Sequence, residues 1–203
     1  MNLIEQLLVD GADDNVSITS ILRKARFAAS RLELLDLQSF LDNEENGYTD
    51  NSLLPKYRLL PGQLEILLTG YGWRYETSQL PLPCPNPIGQ VLAMAGGADK
   101  FVCLSALYPP EVAERHGFRE IPRARFNTSR ATLVGILEGV RSRVFNWAIE
   151  LDKAGVRGEG IDFSREDKAK ALSITVNQFH GPVGGVSQGE SAIGSIEQWD
   201  KTT

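Results

Sequence analysis

Residues 7–48, LLVDGADDNVSITSILRKARFAASRLELLDLQSFLDNEENGY, decide the fold of this chain, because capping residues separate successive apolar stripes at helical spacing. Asp13 and Asp14 interrupt the first apolar run, and Asn15 or Ser17 is placed to cap the helix that follows. The apolar stripe of that helix is Ile18, Ile21, Leu22, Ala25, Ala28, Ala29 and Leu32. The pattern predicts a short amphipathic helix.

A second stripe follows after a break and predicts another short helix. It consists of Leu34, Leu37, Phe40 and Leu41. Asn46-Gly47 ends it, because this pair favours a left-handed helix stop. The acidic residues Asp42, Glu44 and Glu45 lie at this helix end, where they are predicted to be solvated.

The longest predicted helix runs from about residue 130 to residue 154. Asn127, Thr128 or Ser129 caps it, and Gly155 closes it. Its core-facing stripe is Leu133, Ile136, Leu137, Val140, Val144, Trp147, Ala148 and Leu151. Such a regular stripe is typical of a buried helix face.

The middle of the chain predicts short strands and loops. Leu64, Ile66 and Leu68 alternate as in a strand, whereas Leu64, Leu67 and Leu68 also suit a helix. Gly70 and Gly72 favour a strand and a bend over a continuous helix. Residues 79–88 hold four prolines and should be extended or loop, whereas 88–95 predicts a short helix ended by glycines. The sequence of residues 101–107 predicts a buried strand or a short helix. Residues 109–115 are predicted to form another short helix, and residues 118–126 are predicted to be extended. The predicted fold class is mainly α with a few short β-strands (α+β).

A change in composition after Gly155 predicts a division into residues 1–157, a mainly helical domain, and residues 158–203, a short helix with a glycine-rich tail. Ser164-x-x-Asp167 is a capping box that opens the short helix. Alternation at Ile174 and Val176 predicts a strand after it. Residues 181–195 hold five glycines and almost no charge, so they are either disordered or a β-segment that pairs with a copy of itself or with a partner chain. The candidate contact residues in this region are Ile174, Val176, Phe179, Val183 and Val186.

The charge of the chain is unevenly spread. The whole chain has a net charge of −5, but residues 115–157 carry nine basic and four acidic residues, and eight of the nine are arginine. Arginine pairs with carboxylate or phosphate through a planar fork. The block therefore forms ion pairs within the chain or between subunits, or it binds the phosphates of a nucleic acid or nucleotide. The candidate contact residues here are Arg123, Arg125, Arg141 and Arg143.

The sequence predicts no cofactor, no metal site and no catalytic residue. His116 and His180 have no cysteine or histidine at metal-ligand spacing. Glu166-Asp167-Lys168 resembles the E-x-K element of nucleases, but it lies in the first turn of the capped helix, where acidic residues are favoured. Tyr71, Trp73 and Tyr75 lie beside Arg74 and either pack in the fold or stack a base or ligand.

The composition is that of a soluble globular protein, and the expected location is cytoplasmic. The chain has 203 residues, 42% hydrophobic and 23% charged, enough to bury a sizeable core. No apolar run approaches the roughly 18 residues that predict a membrane span. The start, MNLIEQLLVDG, lacks the basic region of a signal peptide. Cys84 and Cys103 are therefore predicted to be reduced thiols.

Several segments resemble the AbiTii family of bacterial abortive-infection (phage defence) proteins. These are LLVDGADDNVSITSILRKARFAASRL with LDNEENGY, YRLLPGQL at 57–64, and RARFNTSRATLVGILEGVRSRVFNWAIELDKAG at 123–155. Together they cover roughly residues 3–155, and ITVNQFHGPVGGVSQGES at 174–191 resembles the glycine-rich segment that often follows. The resemblance implies antiphage defence, and it supplies no catalytic motif.

These observations favour a non-enzymatic antiphage module that acts by sensing or by homo-oligomeric assembly. The expected partners are further copies of the chain, and a partner defence protein or a phage component is also possible; no membrane partner is expected. One alternative is a toxin enzyme that acts on nucleic acid or nucleotides at an unrecognised site. Another is a nucleic-acid-binding module that uses the arginine-rich residues 115–157.

Overall fold

A computed structural model describes residues 1–75, 81–106, 117, 123–158 and 160–179. The helices, in chain order, are α1 (Leu3–Ala12), α2 (Ile18–Arg31), α3 (Leu35–Asn46), α4 (Ile88–Ala95), α5 (Arg130–Lys153) and α6 (Arg165–Phe179). Two short 3₁₀ turns, Asn51–Leu53 and Lys56–Arg58, connect α3 to the strands. The predicted fold class, mainly α with short β-strands, is confirmed.

The described strands form two antiparallel sheets. They are β1 (Leu59–Leu60), β2 (Gln63–Leu68), β3 (Gly72–Tyr75), β4 (Leu82–Pro83), β5 (Phe101–Ala106) and β6 (Ala124–Ser129). β1 pairs with β4, and the larger sheet has the order β3-β2-β6-β5. The predicted strand and bend over 63–75 are confirmed. Of the two alternatives for 101–107 the structure has a strand, but it is not the buried strand of the prediction, because Phe101 and Cys103 are exposed.

The helices begin where the sequence predicts. Ser17 caps α2 by accepting a hydrogen bond from Ser20 N, and Ser129 caps α5 by accepting one from Thr132 N. Ser164 and Asp167 form the predicted capping box. Gly47 ends α3 with a φ of 93° but a ψ of 160°, so the helix stop uses positive φ outside the left-handed helical region.

The core lies where α1, α2 and α4 pack around α5. The predicted stripe of α5 is buried along its whole length, and the predicted stripe of α2 is buried opposite it. Ala25, Ala28 and Ala29 are fully enclosed, and such small side chains let helices approach each other closely. The core therefore depends on α5, which contacts the other helices along its length.

The larger sheet lays one face on this core and leaves its other face exposed. Leu64, Phe126 and Leu104 lie in one row across β2, β6 and β5 and pack against the core. Gly62 precedes β2, and a Cβ there would clash with the carbonyl of Asn127 and the ring of Phe126. The opposite row of each strand forms the outer face of the sheet, because side chains alternate along a strand.

The predicted strand at Ile174 and Val176 is wrong, because both residues lie in α6. Ala171 is fully buried in the helical core, and Thr175 accepts a hydrogen bond from Trp147 Nε1 at 3.1 Å. Packing on α5 thus outweighs the local β-propensity of the run Ile174-Thr175-Val176. The prediction divides the chain after residue 157, whereas α6 packs on the same core as residues 1–157.

Among the described residues, no helix is both long and apolar enough to cross a bilayer. The predicted helix over 109–115 and the glycine-rich residues 181–195 lie outside the described part of the chain.

Candidate functional site

Arg141, one of the predicted contact residues, is used inside the fold. Its guanidinium donates to the carbonyl oxygens of Asp13 at 3.1 Å and Val16 at 2.8 Å, with a longer bond to that of Asp10 at 3.4 Å. These carbonyls lie at the end of α1 and in the turn before α2, where a helix leaves acceptors without partners. Arg141 therefore ties this turn to α5.

Arg125 lies on the outer face of the sheet and forms an ion pair with Glu65 across β6 and β2. Its guanidinium also lies over the Trp73 ring, 4.2 Å from the ring centroid. Of the two interpretations of the aromatic cluster, packing holds for Trp73, whereas Tyr71 and Tyr75 are exposed. Arg123 is exposed at the start of β6.

Most of the arginines of the 115–157 block that the structure describes form contacts within the chain. Arg125 pairs with Glu65, and Arg130 donates to the carbonyls of Met94 and Asp99. Arg143 lies apart from these, with its guanidinium 5.1 Å from the centroid of the Phe40 ring. The predicted contact arginines thus fall at separate places in the fold.

The predicted contact residues of the tail, like the arginines, do not lie together in one described site. Ile174 is half-buried against the helical core, and Val176 is also half-buried, beside Glu33 and Leu35 in a groove between α3 and α6. The side chain of Phe179, together with Val183 and Val186, lies outside the described part of the chain.

Exposed aromatic side chains group on the outer face of the sheet and at its β2–β3 turn. Tyr75 on β3 is 66% exposed and Phe101 on β5 is 67% exposed, and Tyr71 in the β2–β3 turn is similarly open. Cys103 is exposed on the same face, opposite Asn127 of β6. Exposed aromatic side chains grouped in this way are typical of interaction surfaces.

Ligand-binding clefts usually have a volume of about 300–1,000 Å³, and the cleft between Tyr75 and Phe101 on this face has a volume of about 620 Å³. Polar residues line the cleft, Gln63, Asn127 and Thr132 among them. Thr128, which also lines it, donates to the carbonyl of Pro61 at 2.7 Å. The outer face therefore offers aromatic edges around a polar centre.

A buried ion pair forms a second distinctive cluster, between α3 and the turn before β1. Glu44 and Arg58 are both 0% exposed, and Arg58 Nη2 donates to Glu44 Oε2 at 2.6 Å. Arg58 also donates to the carbonyls of Cys84 at 2.9 Å and Asn86 at 2.7 Å. A buried charge pair is tolerated only when such additional hydrogen bonds satisfy it.

Two tyrosines complete the cluster by donating to the same carboxylate oxygen. Tyr48 and Tyr57 each lie 2.7 Å from Glu44 Oε1. Burial and the negative charge of Glu44 raise the pKa of both hydroxyls, so both stay protonated. Burial by itself would lower the pKa of the Arg58 guanidinium, but the hydrogen bonds and the negative charge of Glu44 raise this pKa above its usual value. The nearby Cys84 thiol also has a raised pKa, because it is buried.

The sequence interpretation of Glu44 as part of a solvated helix end is wrong. Asp42 and Glu45 pair with Arg26 at the surface, but Glu44 points into the core. The spacing Leu37-Leu41-Glu44 continues the buried stripe of α3 and could have indicated this. Its partner Arg58 lies in the YRLLPGQL segment, so no local pattern links the two.

Within the part of the chain that the structure describes, no three His, Cys, Asp or Glu side chains group as metal ligands.

The fold and its clusters define a mainly helical α+β domain with one exposed sheet face. A family model described as AbiTii matches residues 2–176, and the chain therefore belongs to the AbiTii family. The matched region includes most of α6. No curated protein and no solved structure matches the chain. Membership in this family indicates a role in abortive infection, a form of phage defence.

Proposed function

We propose that this chain is a non-enzymatic module of an antiphage system, and that it acts by homo-oligomeric assembly through the outer face of its sheet. The observation that carries the proposal is the pair of exposed aromatic side chains, Tyr75 and Phe101, on either side of one polar cleft. Interface cores are enriched in aromatic residues and depleted in unpaired charge.

The charge on this face favours a second copy of the chain as the occupant. The central charges, Glu65 and Arg125, pair with each other, so two such faces do not repel one another. A two-fold contact places the same patch of both copies together. Tyr75 of one copy can then pack beside Phe101 of the other, while the polar centre supplies hydrogen bonds.

The strand arrangement supports the same partner. Among the described strands, β3 and β5 each pair with a single neighbour and lie at opposite ends of the sheet. Edge strands are the places where sheets extend by pairing with another chain. If the oligomer is the active form, assembly through this face or its edges would make the defence response cooperative, because activity would depend on the association of several copies of the chain.

The groups of the buried cluster are not suited to proton-transfer chemistry. Every group in it is committed: Glu44 accepts from Tyr48, Tyr57 and Arg58, and the raised pKa of both tyrosines keeps them protonated. Groups held in this way stabilise a fold, whereas a general base must have a pKa near the working pH.

We expect the double variant Tyr75→Ser/Phe101→Ser to lose phage protection, because it removes the aromatic side chains of the contact. The measurement is the efficiency of plaque formation on bacteria that express the chain. Phe27→Ser is the matched control, since Phe27 is an exposed aromatic residue on α2, away from the sheet. Protection by the double variant equal to that by the control would contradict the proposal.

A further inference from the structure

The surface above the buried ion pair contains a pocket that neither the sheet nor the family assignment explains. It lies between α3, the turn 51–55 and α5, and its volume is about 430 Å³. Pockets that bind small molecules usually span about 300–1,000 Å³ and combine apolar walls with a few polar groups. Leu53, Pro55 and Phe40 form the apolar walls here.

One face of α3 supplies the polar groups. Asp36, Ser39, Phe40 and Asn43 follow one another at the i, i+3, i+4, i+7 spacing that aligns side chains on a helix. The opposite face of the helix carries the buried Leu37, Leu41 and Glu44. The polar face thus holds a carboxylate, a hydroxyl and an amide around one aromatic ring.

Arg143 of α5 lines the pocket from the other side and stacks on Phe40, with 5.1 Å between its guanidinium carbon and the ring centroid. A guanidinium has five N–H donors, so it can bind an anionic group while it keeps contacts within the chain. Its planar surface and the Phe40 ring also suit a flat ligand.

The floor of the pocket is held rigidly. Tyr48 lines the pocket, and its hydroxyl is fixed by the 2.7 Å hydrogen bond to Glu44. Arg58 lies behind it, 5.1 Å from the centroid of the Tyr48 ring. A preorganised wall lowers the cost of ordering a ligand on binding.

We propose that this pocket binds a guanine nucleotide. The base would pack on the aromatic wall of Phe40 and Tyr48, and its N1–H and its amino group would both donate to the carboxylate of Asp36. Asn43 can both donate to and accept from the edge of the base. The phosphate would accept hydrogen bonds from Arg143. This function is independent of assembly through the sheet.

Isothermal titration calorimetry of the full chain with GMP, AMP, CMP and inorganic phosphate tests the proposal. We expect GMP to bind at least about tenfold more tightly, as a ratio of Kd values, than AMP, CMP or phosphate. Binding of AMP or CMP as tight as that of GMP, binding of phosphate alone, or no binding of any of them would overturn it.

Variants then locate the binding. Arg143→Gln and Asp36→Asn should each weaken GMP binding by about tenfold or more, whereas Arg157→Gln should leave it unchanged, because Arg157 pairs with Asp152 outside the pocket. Asp36 is exposed, so its variant should keep the fold. Wild-type affinity in both pocket variants would overturn the assignment.

Discussion

Replacing Arg58 with methionine is expected to lower the free energy of unfolding by about 3–5 kcal/mol. The change would leave the Glu44 carboxylate buried without its cation, since both side chains are fully enclosed and share three hydrogen bonds. A buried charge without a partner carries most of its desolvation cost. Urea unfolding followed by circular dichroism measures the difference.

The double variant Glu44→Gln/Arg58→Met separates the charge from the packing. Because it removes both charges together, it should be more stable than Arg58→Met alone. Arg157→Met is the surface control, and its effect should be within about 0.5 kcal/mol of zero. If Arg58→Met were as stable as that control, Arg58 and Glu44 would not form the buried pair described above.

Arg141→Ala is expected to lower the free energy of unfolding by about 2–3 kcal/mol, since it removes charge-assisted hydrogen bonds. The guanidinium bridges α5 to the end of α1 and to the turn before α2, through the carbonyls of Asp13 and Val16. Thermal or urea unfolding of the variant beside Arg23→Ala tests this, because Arg23 is largely exposed. Equal stability of the two variants would contradict the structural role of Arg141.

This role changes how a charge reversal at Arg141 must be interpreted. The sequence places Arg141 beside Arg143 as a contact residue, and reversal of either charge would then weaken assembly. The structure directs Arg141 inward and Arg143 to a pocket. A loss of assembly in an Arg141 variant would therefore reflect a loosened α1–α2 turn, so the outer sheet face is better tested with Tyr75 and Phe101.

The helical part of the fold could be predicted because its signals are local. The stripes of α2 and α5 and their caps, Ser17 and Ser129, lie within a few residues of the elements that they define. The prediction failed at α6, where Ile174-Thr175-Val176 favours a strand locally. The hydrogen bond from Trp147 to Thr175 joins residues 28 apart in sequence, which no local pattern contains.

The candidate sites could be predicted less well, because each is assembled from distant segments. Arg143 meets Phe40 only because α5 packs near α3, about 100 residues away in the chain. Glu44 meets Arg58 because the chain turns back after α3, and the geometry of this turn depends on Pro55 and the 3₁₀ turn that follows it. The aromatic residues Tyr71 and Tyr75 were visible in the sequence, but their exposure depends on the pairing of β3 with β2.

The position of α6 also affects how the tail should be tested. A chain that ends at residue 157 would lose Ala171 and Thr175 from the core and leave Trp147 without its hydrogen-bond acceptor. Its oligomeric state would then report a damaged fold. A chain that ends at residue 179 keeps α6 and isolates the contribution of residues 180–203, including Val183 and Val186.

The mass of the full chain in solution, measured by light scattering after gel filtration, tests the proposed assembly most directly. We expect the wild-type chain to be an oligomer, with a mass at least twice the 22.3 kDa of one chain. The Tyr75→Ser/Phe101→Ser variant should have a lower mass than the wild type. Phe27→Ser should match the wild type, because Phe27 lies away from the sheet. A wild-type mass of 22.3 kDa at every concentration, or an unchanged oligomer in the double variant, would contradict assembly through the outer sheet face.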